Sequence, residues 1–288
     1  MKYENVAAGF RLLVLGFFAK MVVADNLAPI VNAYYEAPLT YGRKDAALAI
    51  GAYAFQIYGD FYGYSLIAAG SARLMGVRLV DNFRTPYLAA SVADYWQRWH
   101  ISLTAWFRDF LFSPLSLGLR RLRRVGIAVA ILCTYLVSGL WHGANWTFVI
   151  WGGLWGLLYG LEFMLGAFVR ITTPKPWSFG HISRAALMFA IAALALVPFR
   201  SGTVERMQQA FEGLVFRHGE VQHLDLKPLP WVMLGLFIVT DLFTYGRDIN
   251  EYVAARPVWL RWALYAVFIF CILAFGAVEE VPFIYFQF

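Results

Sequence analysis

Apolar residues along this chain gather into long blocks instead of alternating singly with polar ones. The blocks run over about 6–24, 46–70, 125–140, 146–169, 183–199, 229–245 and 258–278. A helix needs roughly 20 predominantly apolar residues to cross a bilayer, so several blocks predict spanning helices. Blocks 183–199 and 229–245 are short and predict tilted helices or helices partly buried in a bundle. Block 46–70 also holds Gln56, Asp60, Gly51, Gly59 and Gly63. Its polar side must face protein or a cavity, because lipid leaves such groups unsatisfied.

The pattern changes between 71 and 124. Arg73, Arg78, Asp81, Arg84, Asp94, Arg98, Arg108 and Asp109 are interleaved there with Trp, Tyr and Phe. No stretch of it is apolar enough to span. Segment 91–113 predicts an amphipathic helix or helix pair, begun by Ser91 or Asp94 as N-cap. Such a segment lies in the membrane interface or dips in as a re-entrant element. The expected fold is therefore all-α: a polytopic membrane helix bundle of about seven apolar blocks with this segment at about 71–124, forming a single membrane domain over 1–288.

Composition agrees. Hydrophobic residues make up 60% and charged residues 15%, with a mean hydropathy of +0.58, whereas soluble domains are charged at about a quarter of positions. The net charge of +6 comes largely from loop arginines, which orientation in a membrane explains. No basic stretch resembles a groove-reading element, so nucleic acid is excluded as a partner. Cys133 and Cys271 lie far apart inside apolar blocks and give neither metal spacing nor a disulfide framework. The first apolar stretch carries Arg11 and Lys20 and lacks a small-residue cleavage site, which predicts a helix that is retained. Arg120, Arg121, Arg123 and Arg124 form the densest basic cluster and anchor the cytoplasmic side. Alternation then returns the chain to that side at Arg170 and Lys175 and at Arg247 and Arg256, and places 200–228, Glu279 and Glu280 outside.

Candidate chemistry follows from the polar residues that this pattern strands. His142 sits in Leu140-Trp141-His142-Gly143-Ala144-Asn145-Trp146, between two long apolar blocks. At 1.5 Å per residue it lies about 27 Å along a straight helix from Arg124, toward the outer side of the membrane. It is either a satisfied imidazole packed between Trp141 and Trp146 or a general base for a hydroxyl acceptor. Gly139 and Gly143 permit close approach of a substrate or another helix, and Asn145 adds a polar side chain. His100, in Trp96-Gln97-Arg98-Trp99-His100, falls on the cytoplasmic side. It is either an interfacial histidine or, with Arg98 and Asp94, part of a binding site, since arginine among aromatics suits phosphate or pyrophosphate. The two histidines approach different faces unless the 71–124 segment re-enters. Asp60 is either functional or a buried carboxylate paired with an arginine of 71–124. His181, His218 and His223 fall in predicted loops without a role. The absence of Walker, dinucleotide-binding and His/Cys ligand patterns predicts no metal and no bound redox cofactor.

The motif Trp96-Gln97-Arg98-Trp99-His100-Ile101-Ser102-Leu103, followed by Trp106-Phe107-Arg108-Asp109-Phe110-Leu111, resembles the signature of membrane-bound O-acyltransferases. So does Trp141-His142-Gly143-Ala144-Asn145-Trp146-Thr147 leading into Ile150-Trp151-Gly152. Asp60-Phe61-Tyr62-Gly63-Tyr64-Ser65, Asn82-Phe83, Pro86-Tyr87, Pro198-Phe199-Arg200 and the terminal run 282–288 point to the bacterial branch of alginate O-acetyltransferases and D-alanyl transfer proteins. The resemblance implies a many-helix bundle with a tunnel, placed in the bacterial inner membrane. His142 takes the place of the family's hallmark histidine and His100 that of its second polar position. The implied activity is acyl transfer from a cytoplasmic thioester, acetyl-CoA or another, toward hydroxyls of an extracytoplasmic polysaccharide such as alginate, through a periplasmic acetyltransferase partner. Asn145 or a backbone N–H would steady the oxyanion, and Trp141, Arg98, Trp99 and Asp60 would contact substrate. Two other expectations stand beside it: D-alanyl transfer from a carrier protein to teichoic acid, and a non-catalytic membrane scaffold or truncated relic. Members of this branch are longer, so the chain is expected to correspond to their C-terminal part and to lack their N-terminal helices.

Overall fold

The computed structural model describes residues 3–166, 174–216, 222–277 and 283. Arg170, Arg217, His218, Glu279, Glu280 and the terminal run 282–288 apart from Phe283 lie outside the described residues. The helices are α1 (Tyr3–Phe17), α2 (Asp25–Glu36), α3 (Arg43–Leu74), α4 (Val92–Trp96), α5 (Ile101–Phe107), α6 (Ser113–Gly118), α7 (Arg123–His142), α8 (Trp146–Leu165), α9 (Phe179–Ser201), α10 (Val204–Val215), α11 (Pro228–Thr244), α12 (Ile249–Ala254) and α13 (Val258–Phe275). A wider π-helical turn, Phe18–Ala24, joins α1 to α2, and another, Arg108–Phe112, joins α5 to α6.

The all-α membrane architecture expected from the blocks is present. Among the described residues, five helical stretches are long and apolar enough to cross a membrane: Tyr3–Glu36, Arg120–His142, Trp146–Leu165, Phe179–Ser201 and Val258–Phe275. The other two apolar blocks are helices as well. Pro228–Thr244 is the shorter one, and α3 carries Lys44, Asp45, Gln56, Asp60 and Arg73 along its length. The predicted helix pair at 91–113 is α4 and α5, and Ser91 is its N-cap, accepting a hydrogen bond from the Asp94 N–H at 3.1 Å.

The chain forms two compact units: Met1–Ala33 with Gly51–Thr85 and Leu224–Phe288, and Tyr34–Ile50 with Pro86–His223. In the first unit, α1 and α3 pack through small residues. A Cβ on Gly63 would come within 2.7 Å of the Gly16 carbonyl, and one on Gly70 within 2.8 Å of the Gly9 carbonyl. Only glycine lets two backbones approach so closely. At the same crossing, Lys20 on the π-helical turn donates to Asp25 Oδ1 and to Asp60 Oδ1, each at 2.7 Å, and all three side chains are buried. This pairing explains why the first helical stretch continues to Glu36 although the apolar block ends at 24. Asp25 is answered inside the protein and does not interrupt the span.

In the second unit, α7 and α8 form a tight hairpin. A Cβ on Gly139 would collide with the Phe148 carbonyl, and one on Gly152 with the Tyr135 carbonyl. Gly139 therefore serves the approach of another helix. The α8 N-terminus is capped by Asn145, whose Oδ1 accepts from the Thr147 N–H at 3.1 Å.

Candidate active site

The site is built in the second unit from the turn of the α7–α8 hairpin, the α4–α5 segment and the end of α9. The α4–α5 segment is laid against α8 in a legible register. Glu162, near the C-terminal end of α8, accepts from the Val92 N–H at 2.7 Å and from the Ala93 N–H at 3.0 Å. These are orphan donors at the start of α4, and the carboxylate also suits the positive end of a helix. Tyr95 then stacks on Trp155 at 5.0 Å and 7°. Trp96 packs edge-on against Trp155 at 5.2 Å and Trp151 at 6.0 Å, and lies 4.9 Å from Tyr135 of α7. The segment thus runs from Glu162 toward the N-terminal half of α8, a descent of about 16 Å at 1.5 Å per residue, and delivers His100 to His142. Beyond His100, Phe107 of α5 meets Trp141 edge-on at 6.5 Å.

His142 ends α7 and is 9% exposed. Its ring meets Trp151 at 5.1 Å and 89°, Phe199 at 5.0 Å and 78°, and Trp141 at 5.0 Å and 76°, with Phe148 at 6.2 Å. Trp146, expected at its side, is instead 73% exposed. Phe199 follows Pro198 in the last turn of α9 and also packs on Phe148 and Trp151.

His100 caps α5 with a left-handed backbone, φ 44° and ψ 54°. That conformation strains a non-glycine residue, and helix bonds hold it on both sides: Trp99 N–H to Tyr95 O at 2.9 Å, and Thr104 N–H to His100 O at 3.0 Å. Burial, and secondarily the charge of His142, push the His100 pKa down from 6.5 to about 3. The two imidazoles therefore lie within electrostatic reach of each other, and His100 is neutral at physiological pH. The packing of α4 along α8 is what brings them together.

The other sequence-derived residues are distributed as follows. Trp99 is buried and stacks on Tyr95 at 5.7 Å. Arg98 donates through Nε to Asp94 Oδ1 at 2.6 Å, while Asp94 Oδ2 accepts from the Ala90 N–H at 3.0 Å. Trp141 is half-exposed beside His142. Asn145 caps α8 through its oxygen and donates its amide to the Gly202 carbonyl. Asp60 belongs to the first unit, where it accepts from Lys20. Sequence reasoning assigned no role to Trp151, Phe199 or Glu162. Trp151 and Phe199 stood inside quoted motifs, and Glu162 could have been found as an acid stranded in an apolar block.

Comparison with known proteins adds a family match. Residues 1–197 match the model of MBOAT, the membrane-bound O-acyltransferase family. The chain is 35% identical over 245 residues to the probable alginate O-acetylase AlgI of Pseudomonas syringae pv. tomato, covering 84% of this chain and 45% of that protein. It is 31% identical over 219 residues to the peptidoglycan O-acetyltransferase of Helicobacter pylori, covering 76% of this chain and 41% of that one. It is 32% identical over 156 residues to the teichoic acid D-alanyltransferase of Streptococcus thermophilus, covering 51% of this chain and 38% of that one. The chain spans less than half the length of each of these three relatives.

Proposed function

The chain belongs to the membrane-bound O-acyltransferase family, and from that premise we propose that it moves an acyl group, an acetyl group in the first reading, from a thioester donor to a hydroxyl acceptor. The observation that carries this reading is the His142 imidazole enclosed by aromatic rings at the hairpin turn, with the His100 imidazole within its electrostatic reach.

In the proposed reaction, acetyl-CoA or another acyl thioester is presented from the cytoplasmic side, past Arg98, Trp99 and His100. The accepting hydroxyl attacks the thioester carbonyl carbon as its proton passes to His142. The tetrahedral intermediate collapses by breaking the C–S bond, and the thiolate takes the proton back from His142. An imidazole can take up and give back one proton, which suits both transfers, and the aromatic wall excludes competing water. His100 is neutral, so it adds no charge that would hold His142 unprotonated when the proton arrives. Arg98, held by Asp94, presents a fixed guanidinium edge toward the donor, and Trp141 stands half-exposed at the mouth. Asn145 fixes the hairpin turn behind the base.

The acceptor in this reading is an extracytoplasmic polysaccharide of the alginate type, acetylated through a periplasmic acetyltransferase partner, with the chain in the bacterial inner membrane. Resemblance to the alginate O-acetylases and the peptidoglycan O-acetyltransferase supports it. A second reading keeps the chemistry and changes the substrates to a carrier-bound D-alanine and teichoic acid. The relative of that name matches half of this chain. Acyl transfer from radiolabelled acetyl-CoA, in membranes carrying wild type or His142→Ala, tests the proposal. Loss of at least about 100-fold in turnover is expected for removal of a general base. Turnover near wild type would remove His142 from the reaction.

A further inference from the structure

The wall around His142 and the rings next to it hold hydrogen-bonding groups that no described residue uses. Among the described residues, Trp151 Nε1, Trp96 Nε1 and Thr147 Oγ1 are buried without a hydrogen-bond partner. The three residues are 4%, 7% and 0% exposed. They are not scattered. The Trp151 ring contacts both His142, at 5.1 Å, and Trp96, at 6.0 Å. Thr147 precedes Trp151 by one helical turn on α8, so both share a face.

An indole N–H donates and never accepts. Leaving one buried and unmet costs about 1–3 kcal/mol, and native proteins seldom bear that cost without a use for the group. Two such donors on rings whose centroids lie 6.0 Å apart call for a ligand atom that only accepts. The ring contacts of Trp151 are His142, Trp96 and Phe199, so the ligand end that enters here is small and uncharged. A short acyl group with its carbonyl oxygen has that character. Asn145 is committed at both ends of its amide, to the α8 N-terminus and to Gly202.

Building on the acyl-transfer reading, we propose that the Trp151 indole N–H is the oxyanion donor of the reaction, with the Trp96 indole N–H as the second donor to the same acyl carbonyl. As the hydroxyl oxygen forms its bond to the carbonyl carbon and its proton moves to His142, the carbonyl π electrons move onto the carbonyl oxygen. The two N–H groups hold that charge in a site walled from water. When the C–S bond breaks, the electrons return to restore the carbonyl, and the thiolate leaves with the proton from His142. Donors already fixed by packing stabilise the developing charge without reorganising.

Two measurements on the full chain in detergent test this. The first replaces Trp151 with benzothienylalanine, which puts sulfur where the N–H is and keeps the ring shape, alongside Trp151→Phe. The expected result for the sulfur analogue is kcat for acetyl-CoA turnover lowered about 100- to 1000-fold, as for loss of one oxyanion donor, with KM and thermal midpoint close to wild type. A kcat lowered by less than about 100-fold, the smallest loss expected of one oxyanion donor, overturns the assignment. The second follows the Trp151 indole resonance of tryptophan-labelled protein as S-acetonyl-CoA is added, a ketone analogue that cannot transfer its acyl group. A downfield shift of the indole proton is expected, and an unchanged resonance overturns the proposal. The two inferences fail separately: turnover surviving His142→Ala defeats the base, whereas an unmoved Trp151 resonance defeats the donor.

Discussion

Each unit of the chain buries polar side chains at a close helix crossing, and the two do so in opposite ways. In the first unit, Lys20, Asp25 and Asp60 satisfy one another through contacts of 2.7 Å. In the second, His142 is ringed by aromatics with His100 in electrostatic reach, and the indole donors of Trp151 and Trp96 have no acceptor among the described residues. A charge network whose members pair with one another holds α1 against α3. An aromatic box with unused donors and a base at its edge stays chemically open. The contrast separates an ion cluster that builds the fold from one that would do chemistry, although both began as ionisable residues stranded in apolar blocks.

The largest effect expected in the first unit comes from Lys20→Met. It leaves two buried carboxylates uncompensated, and breaking a buried pair in this way costs roughly 3–5 kcal/mol. Asp25→Asn leaves one ammonium facing one carboxylate and should cost clearly less. Thermal unfolding in detergent measures both. If Lys20→Met instead unfolds like wild type but loses acyl transfer, the triad is part of the reaction and the contrast collapses.

Glu162→Ala is next in size. It removes the carboxylate that accepts from Val92 and Ala93, and leaving those donors unmet should cost about 1–3 kcal/mol. Because these bonds fix the start of the segment that carries His100, kcat should fall as well, with Glu162→Gln recovering part of both losses. Unchanged turnover in Glu162→Ala would show that the aromatic stack from Tyr95 to Trp99 positions His100 without the clamp.

Stability should also depend on pH. The folded pKa of His100 is pushed from 6.5 to about 3, so the unfolded chain takes up its proton first as pH falls. Its contribution is constant above the unfolded value and declines progressively below it, toward the folded value. The thermal midpoint should fall through this acid range, and His100→Gln should flatten part of that fall. A midpoint that rises on acidification in wild type would reverse the sign and place an ionised partner at His100.

Much of this was legible in the chain itself. Helix positions followed from block length, because a bilayer accepts only long apolar helices at its core. The Ser91 cap followed from local side-chain chemistry. His142 and His100 drew attention as costly groups in aromatic, apolar surroundings. Other features had no local signal. Asp25 reads as the end of a helix until Lys20 is seen to neutralise it. That Asn145 caps α8 and also donates to Gly202 depends on where α9 ends. Trp146 and Trp151 are both tryptophans close to His142 in sequence, yet one faces outward and the other packs on the imidazole.

The sequence by itself determined that this is an all-helical membrane chain with stranded histidines, because hydropathy, spacing and capping act over a few turns. Only the tertiary structure decided that α4 and α5 descend along α8 from Glu162, that Phe199 closes the box from α9, and that two indole donors are left over beside His142. Those outcomes depend on which helix faces meet. In an apolar chain nearly every face is hydrophobic, so packing shape and the pairing of a few polar groups choose among them.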